Sequence, residues 1–469
     1  MILEEALGLW AETAAQVPCV AWPNKVPESG GICIYEGRLK GLAEEVKKEI
    51  PISAVIGSVP RPNQAFWTLS ALWAGWLWGS SAVDPYKTAL RRRRYDWAWN
   101  ATALNASFAH LFDLLALGTP FFGLLTEVEP AFLTSTLTAA SAAGFDLKGF
   151  ALRTWDDPAQ LVWERGEHLT REYEPPGKKL ACKAMEEHLV GRGEPGSYLH
   201  LHTAALLAFA DSHGLKQKEE EFDDALRRTN SILETTLRED TRFIHHSTAE
   251  GVETGLWGLR DTLAVESLTD RVEIAVVNYL QKVPENIFLE VEDELYRQFT
   301  GLLTPSKRMI YAVLNSYAEK DSGKWKLRRE DLASARRQDL QAIGSIVEKT
   351  GSRLKYKVRK NNKWMIWQEN GKPVRMFYIL ASALFGRMLA DNPYPPEQCI
   401  LTIPGGRSAL IAYKEQRDPI LAERMQPYRL VKYRLCRALA EVPILTRETF
   451  EEQINTDPVE QAQGQMMMF

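Results

Sequence analysis

From residue 32 to about 165, short apolar runs alternate with stretches of helical periodicity, and that alternation confines the first third of the chain to one class of fold. Ile32 to Tyr35 (ICIY), Ala54 to Val59 (AVIGSV) and Pro120 to Leu125 (PFFGLL) have the length and apolar content of buried strands. Helical patterns over Leu39 to Glu49, the Trp-rich Ala65 to Gly79, Trp97 to Leu117 and Ala131 to Ala143 separate them, the last stopping at Gly144. Strands separated by helices pair in parallel, since a parallel return needs a crossover. Two further runs, Gly149 to Arg153 and Gln160 to Glu164, flank the turn-rich WDDPA and predict an antiparallel hairpin at the sheet edge. Residues 1–165 are therefore expected to hold half of a doubly wound, Rossmann-like α/β sheet.

A polar stretch at 166–180 with Pro175-Pro176-Gly177 reads as a linker. Helical patterns then run to about 240. Leu263 to Lys282, Leu289 to Phe299 and Pro305 to Tyr317 are three further helices, followed by a short strand at Lys324 to Arg328, the outline of a winged helix within a second unit, 181–330. The third unit, 331–469, begins with a helix from 334. Strands follow at Leu354 to Arg359, Trp364 to Gln368 and Val374 to Leu380, the last two joined through Asn370-Gly371, a strong hairpin signal. A helix, the strand CILTI at 399–403 and a final helix–strand–helix complete a mixed α/β unit. Its order of elements is that of restriction-endonuclease-like folds. Nucleases of that type need an acidic residue on one strand and Glu-x-Lys on the next to hold magnesium, and neither 364–368 nor 374–380 supplies them. Nucleic-acid binding without cleavage is the expected role.

Charge narrows the partner. The 469 residues carry 57 Lys and Arg against 61 Asp and Glu, a net of −4. Residues 320–375 alone hold sixteen Lys or Arg and six Asp or Glu, so this segment is +10 and the remainder −14. Lys355, Lys357, Arg359, Lys360 and Trp364 lie in it, with Trp325, Tyr356 and Trp367 interleaved, the combination that phosphate attraction and base stacking use. A solvated basic face balancing an acidic remainder reads the same way. Arg91 to Arg94, including Arg91 and Arg92, form a second cluster, equally readable as a phosphate site or a solvated loop.

Other chemistries find little footing. Five scattered cysteines with no C-x-x-C pair fit reduced thiols of a cytoplasmic protein and no structural metal. The opening MILEEALGLW lacks the basic region of a secretory signal, and the fifteen apolar residues from Ala65 are too few to span a bilayer. Gly191 to Gly196 fits G-x-G-x-x-G but follows a helical pattern where a dinucleotide loop needs a strand. His200 and His202 have no ligand-type neighbours at metal spacing. No nucleophile elbow and no phosphate-binding Gly-Lys-Ser/Thr loop occurs.

The stretch AVIGSVPRPNQAFWTLSALWAGWLWG, Ala54 to Gly79, sets a Pro-Arg-Pro-Asn loop after a strand, at the carboxyl edge where α/β sheets bind ligands. With RRRRYDWAWNATAL at 91–104, GTPFFGLL at 118–125, GFDLKGFALRT at 144–154 and LTIPGGRSALIAYKEQRDP at 401–419, it resembles the C-terminal half of large bacterial S-adenosylmethionine-dependent DNA methyltransferases of the amino-methylating type. The resemblance covers most of the chain. In that family the strand leads into Asp/Asn/Ser-Pro-Pro-aromatic, whose side chain and proline carbonyl bind the target amino group while the ring stacks on the flipped base. The matching positions here read Ser58-Val59-Pro60-Arg61, so Arg61 stands where the ring belongs and Phe66 or Trp67 is left to supply one. Ser58, Pro60 and Trp67 would be the catalytic set of an active enzyme, with Arg61 and Asn63 beside the substrate. The family's glycine-rich cofactor loop has no counterpart before Ile32. The resemblance thus implies a DNA-binding, methyltransferase-like protein of a bacterial modification or defence system, incomplete or inactive alone, whose S-adenosylmethionine pocket needs a partner chain with the N-terminal half. A non-enzymatic nucleic-acid-binding scaffold and an active amino-methyltransferase are the alternatives.

Overall fold

The computed structural model describes residues 19–21, 24, 28, 30–35, 37, 39–46, 51–61, 64–90, 96–155, 157–167, 176–260, 265–361 and 363–455, without the side chains of 64–66 and 88–89. The chain is mixed α/β, and its strands fall into several small sheets. β1 (Cys19–Ala21) and β2 (Ile32–Ile34) pair in parallel. After α1 (Leu39–Val46), β3 (Val55–Ser58) leads through α2 (Gln64–Trp78), α3 (Asp84–Leu90) and α4 (Trp97–Leu114) to β4 (Pro120–Leu125), which pairs parallel to β3 as the crossover demands. α5 (Pro130–Ala142), β5 (Phe145–Ala151) and β6 (Ala159–Arg165) follow. β5 and β6 are antiparallel as expected, but the last strand enters between its predecessors, giving the order β3-β4-β6-β5. β5 starts at Phe145, earlier than expected, because its register shifts between Leu147 and Gly149 and lets the strand run through the glycine.

Alternation along β3 and β4 sorts the faces of this sheet. Phe121, Leu125, Leu161 and Trp163 point to the core, and Trp163 lies so close over Gly123 that any Cβ there would collide with the indole. The opposite face leaves Ile56, Phe122 and Leu124 exposed, so helices cover one side where a doubly wound sheet expects both. On the covered side α5 is a middle layer. Thr134 of α5 lies 3.3 Å from His202 of α7 (Tyr198–Asp211) and 3.4 Å from Asn230 of α8 (Phe222–Glu239). α6 (Lys178–Arg192) ends at Gly193, φ +68, so the G-x-G-x-x-G stretch breaks two helices, as its preceding helical pattern implies. β7 (Gly196–Ser197), β8 (Phe243–His246) and β9 (Leu256–Leu259) form a small sheet beside them. One apolar core therefore runs from Val59 to Trp257. The helices of 178–239 supply the layer that buries α5, and Leu302 packs against the same core; most of the linker expected at 166–180 lies outside the described residues.

α9 (Leu268–Lys282), α10 (Phe288–Gln298) and α11 (Lys307–Tyr317) precede the hairpin of β10 (Ala318–Asp321) and β11 (Lys324–Leu327), and Asn286 bridges Trp325. α12 (Ala333–Arg353) leads into the sheet β12 (Lys357–Asn361), β13 (Trp364–Glu369), β14 (Lys372–Ile379), β15 (Cys399–Ile403) and β16 (Arg429–Lys432). β12 to β14 are antiparallel, and β14 to β16 parallel. Asn370 and Gly371 both take positive φ, 49° and 77°, the pair of angles a two-residue type I′ hairpin needs. β12 begins three residues later than expected because Leu354 caps α12 and Lys355 turns left-handed at φ +64. α13 (Gly386–Asp391), α14 (Ser408–Arg417), α15 (Pro419–Met425), α16 (Tyr433–Glu441) and α17 (Arg447–Gln453) complete the unit. Its sheet buries Trp364, Ile366 and Tyr378 against α9–α11 and Met365, Trp367 and Phe377 against α12, so both faces of β13 are core.

Among the described residues no helix is long and apolar enough to cross a membrane, and no group of three His, Cys, Asp or Glu is placed to hold a metal ion.

A closed loop and an open basic strand as candidate functional site

The carboxyl ends of β3 and β4 bring together Ser58, Pro60 and Arg61 of the residues marked in the sequence. The Val59 amide donates to the Leu124 carbonyl over 2.9 Å, and the Ser58 hydroxyl donates to the same oxygen over 3.5 Å. Pro60 keeps its carbonyl at the mouth of the sheet, where Asn100 of α4 reaches it with Nδ2 at 3.5 Å. Asn100 is itself fixed, since Ser135 of α5 places its hydroxyl 2.8 Å from Oδ1. Arg61, where the resemblance would put an aromatic ring, is a clamped cation: one guanidinium nitrogen pairs with Glu127 and the other with Glu129 Oε1 at 2.7 Å. Two carboxylates on one guanidinium neutralise it and fix its plane. Trp67 sits half-buried at the start of α2, its ring 6.1 Å from that of Tyr86 on α3. Asn63, Arg91 and Arg92 lie outside the described residues, as does the Phe66 side chain.

These contacts decide what the loop can do. A proline carbonyl that accepts the Asn100 amide has one lone-pair direction fewer for a substrate amino group. The position the resemblance gives to an aromatic ring carries a guanidinium paired with two carboxylates instead. Asn100, Glu127 and Glu129 meet the loop from 40 to 68 residues away, beyond the reach of local sequence patterns. The one local signal is the acidic pair in TEVEP, directly after a strand and at the ligand-binding edge of a parallel pair.

The basic segment is arranged differently. Of its sixteen cations, several hold the fold: Arg336 and the more distant Arg407 pair with Asp331, Arg353 donates to the carbonyls of Ala440 and Val442, and Arg375 pairs with Glu451 at 2.8 Å. Lys355, Lys357, Arg359 and Lys360 are all exposed, on β12 and the turn before it, and none has a carboxylate partner among the described residues. β12 is the outer strand of its sheet. Residues two apart on it are about 7 Å apart and share a face, so Lys357 and Arg359 point one way and Lys360 the other. The interleaved aromatic rings do not accompany them to the surface. Trp364 is 7% exposed, edge-on to Tyr378 and Tyr394, and Trp367 is 1% exposed between Tyr356 and Phe377. Base stacking on Trp364 would need a ring face that the core already covers.

The remaining buried charges bind the units together. Lys414 of α14 contacts Glu273 Oε2 and Asp270 Oδ1 of α9 and donates to the Ala383 carbonyl at 2.8 Å. Burial alone would lower its pKa, but Glu273 and Asp270 outweigh it and raise the value. Burial holds His188 down to about 3, with Arg192 adding repulsion, and His202 down to about 4 despite its bond to Asn230. The Ser197 hydroxyl lies 2.9 Å from Nδ1 of the buried His200, a contact at the start of α7.

Comparison with protein-family models, with curated proteins and with solved structures finds no match to the chain.

Proposed function

We propose that this chain is a nucleic-acid-binding, methyltransferase-like subunit of a bacterial modification or defence system that does not transfer methyl groups by itself. The observation that carries the proposal is the row of Lys355, Lys357, Arg359 and Lys360, exposed on β12 and the turn before it without counter-charges among the described residues. Unpaired surface cations in a row offer phosphates the charge that paired ones have already spent. The contact is to backbone phosphate, because Trp325, Trp364 and Trp367 of the segment are core.

Several features support the methyltransferase-like part. β3 and β4 are parallel, joined through helices, and the loop at their carboxyl end occupies the position the resemblance assigns to target-base recognition. β3 is one edge of its sheet, where strands of a partner chain carrying the cofactor loop would add. Bound S-adenosylmethionine would be held largely by that partner. Three helices and a hairpin, with Asn286 bridging Trp325, support a winged-helix reading of 268–327. The order α12-β12-β13-β14-α13-β15 supports the restriction-endonuclease-like reading, and Glu369, the one acid of β13, is engaged with Arg447 at 2.6 Å. The engaged Pro60 carbonyl and clamped Arg61 favour a non-enzymatic scaffold as the second reading, and take support from an active Ser58–Pro60–Trp67 centre.

Fluorescence anisotropy of labelled duplex and single-stranded DNA over a range of salt tests the proposal. Four phosphate contacts predict a log–log slope of roughly −3 to −4 for duplex and somewhat less for single strands. A response flat with salt removes the nucleic-acid claim.

A further inference from the structure

α2 reads QAFWTLSALWAGWLW, apolar all round and without a single charged residue. A helix of that composition belongs inside a core or a membrane. Among its described side chains only Ala71 and Ala74 are buried, while Leu72, Trp76 and Trp78 are 66%, 79% and 72% exposed and Leu69, Trp73 and Leu77 about half or more. Fifteen residues rise only about 22 Å against the ~30 Å of a hydrocarbon core, so α2 does not span a bilayer. A helix lying on a membrane surface keeps a Lys- or Arg-rich polar face, and α2 has none. The surface that suits it is another protein surface of the same kind.

The area is sufficient. Those six exposed side chains present on the order of 700–800 Å² of apolar surface, close to the ~800 Å² each partner contributes to a stable complex and above the few hundred Å² a monomer ordinarily leaves open. Between α2 and α3 lies a hollow of about 740 Å³ lined by Leu69, Leu72, Trp73, Trp76, Val83 and Leu90. Leu77 and Trp78 project beside it without lining it. A knob and a hollow on one hairpin satisfy the requirement of a two-fold contact, in which one patch must fit itself. An uncharged helix also sets no like charges against each other across the axis, and Lys87 and Asp84 of α3 pair within their own chain.

We propose that the α2–α3 hairpin is a dimer interface between two copies of this chain, Leu77 and Trp78 of each entering the hollow of the other. The proposal rests on the exposed helix and not on the methyltransferase or nucleic-acid readings. Sedimentation velocity of the full chain across about 1–50 µM should give a closed species of twice 53.1 kDa. Trp78→Glu and Leu72→Glu, both at exposed positions, should each weaken it roughly 100-fold, with circular dichroism and melting unchanged, as hot-spot aromatic and apolar contacts do. A monomer at the highest concentration, open-ended polymers, or variants that dimerise as well as the parent would overturn it. So would a monomer that floats with phosphatidylglycerol vesicles, which would assign α2 to a lipid surface.

Discussion

The Ser58–Arg61 loop and the strand β12 both offer a cation at a place where a ligand would bind, and they differ in where the counter-charge lies. Arg61 finds Glu127 and Glu129 within its own fold, and the carbonyl beside it finds Asn100. Lys355, Lys357, Arg359 and Lys360 find no acid among the described residues. Positive charge in a sequence is therefore a poor guide to binding until its partners are known. Lys414 stands at the far end of the scale, buried and satisfied on three sides.

The comparison breaks most readily at Lys414. Lys414→Ala leaves Asp270 and Glu273 buried without a cation, which should destabilise the protein by about 3–5 kcal/mol, whereas Lys357→Ala should stay within ~0.5 kcal/mol. Denaturant midpoints measure both, and equal midpoints would dissolve the distinction between inward and outward cations.

Acid sharpens the same contrast. His188 and His202 are neutral in the fold, with pKa values near 3 and 4, and would titrate near 6.5 once exposed. The unfolded chain thus binds more protons below pH 6.5, and stability falls as pH drops from there toward 4. Between pH 7 and 5 the loss should be roughly 2 kcal/mol for each histidine. Burial raises Asp418 to about 6, so it works in the opposite direction, favouring the fold as pH falls from 6 to 4. Melting curves of His188→Gln and His202→Gln should show a shallower acid decline than the parent; identical declines would place the titration elsewhere.

A smaller effect is expected at the loop. Arg61→Tyr places an aromatic ring where the resemblance has one, yet calorimetry with S-adenosylmethionine should show no binding for parent or variant, since no G-x-G-x-x-G run precedes Ile32 and Asn100 still holds the Pro60 carbonyl. Micromolar binding by either would favour the active-enzyme reading.

How much of this was legible follows from range. PFFGLL and CILTI become strands with the bounds their apolar runs mark, and Asn370-Gly371 makes the turn its residues require. Both depend on neighbours in sequence. β12 starts late because Lys355 adopts a left-handed angle that no local pattern announces. The Trp residues of the basic segment look like a stacking platform in one dimension, but WMIW on β13 is buried on both faces because α12 and α9–α11 sandwich it. The Arg61 clamp was illegible for the same reason: its partners arrive on another strand's loop.

The central claim is tested most directly by duplex DNA affinity with Lys355, Lys357, Arg359 and Lys360 all changed to Glu. Affinity should fall at least ~100-fold and lose most of its salt dependence, with an unchanged circular dichroism spectrum, because none of the four side chains bonds to another described residue. Affinity equal to that of the parent protein would contradict it and move the contact away from β12.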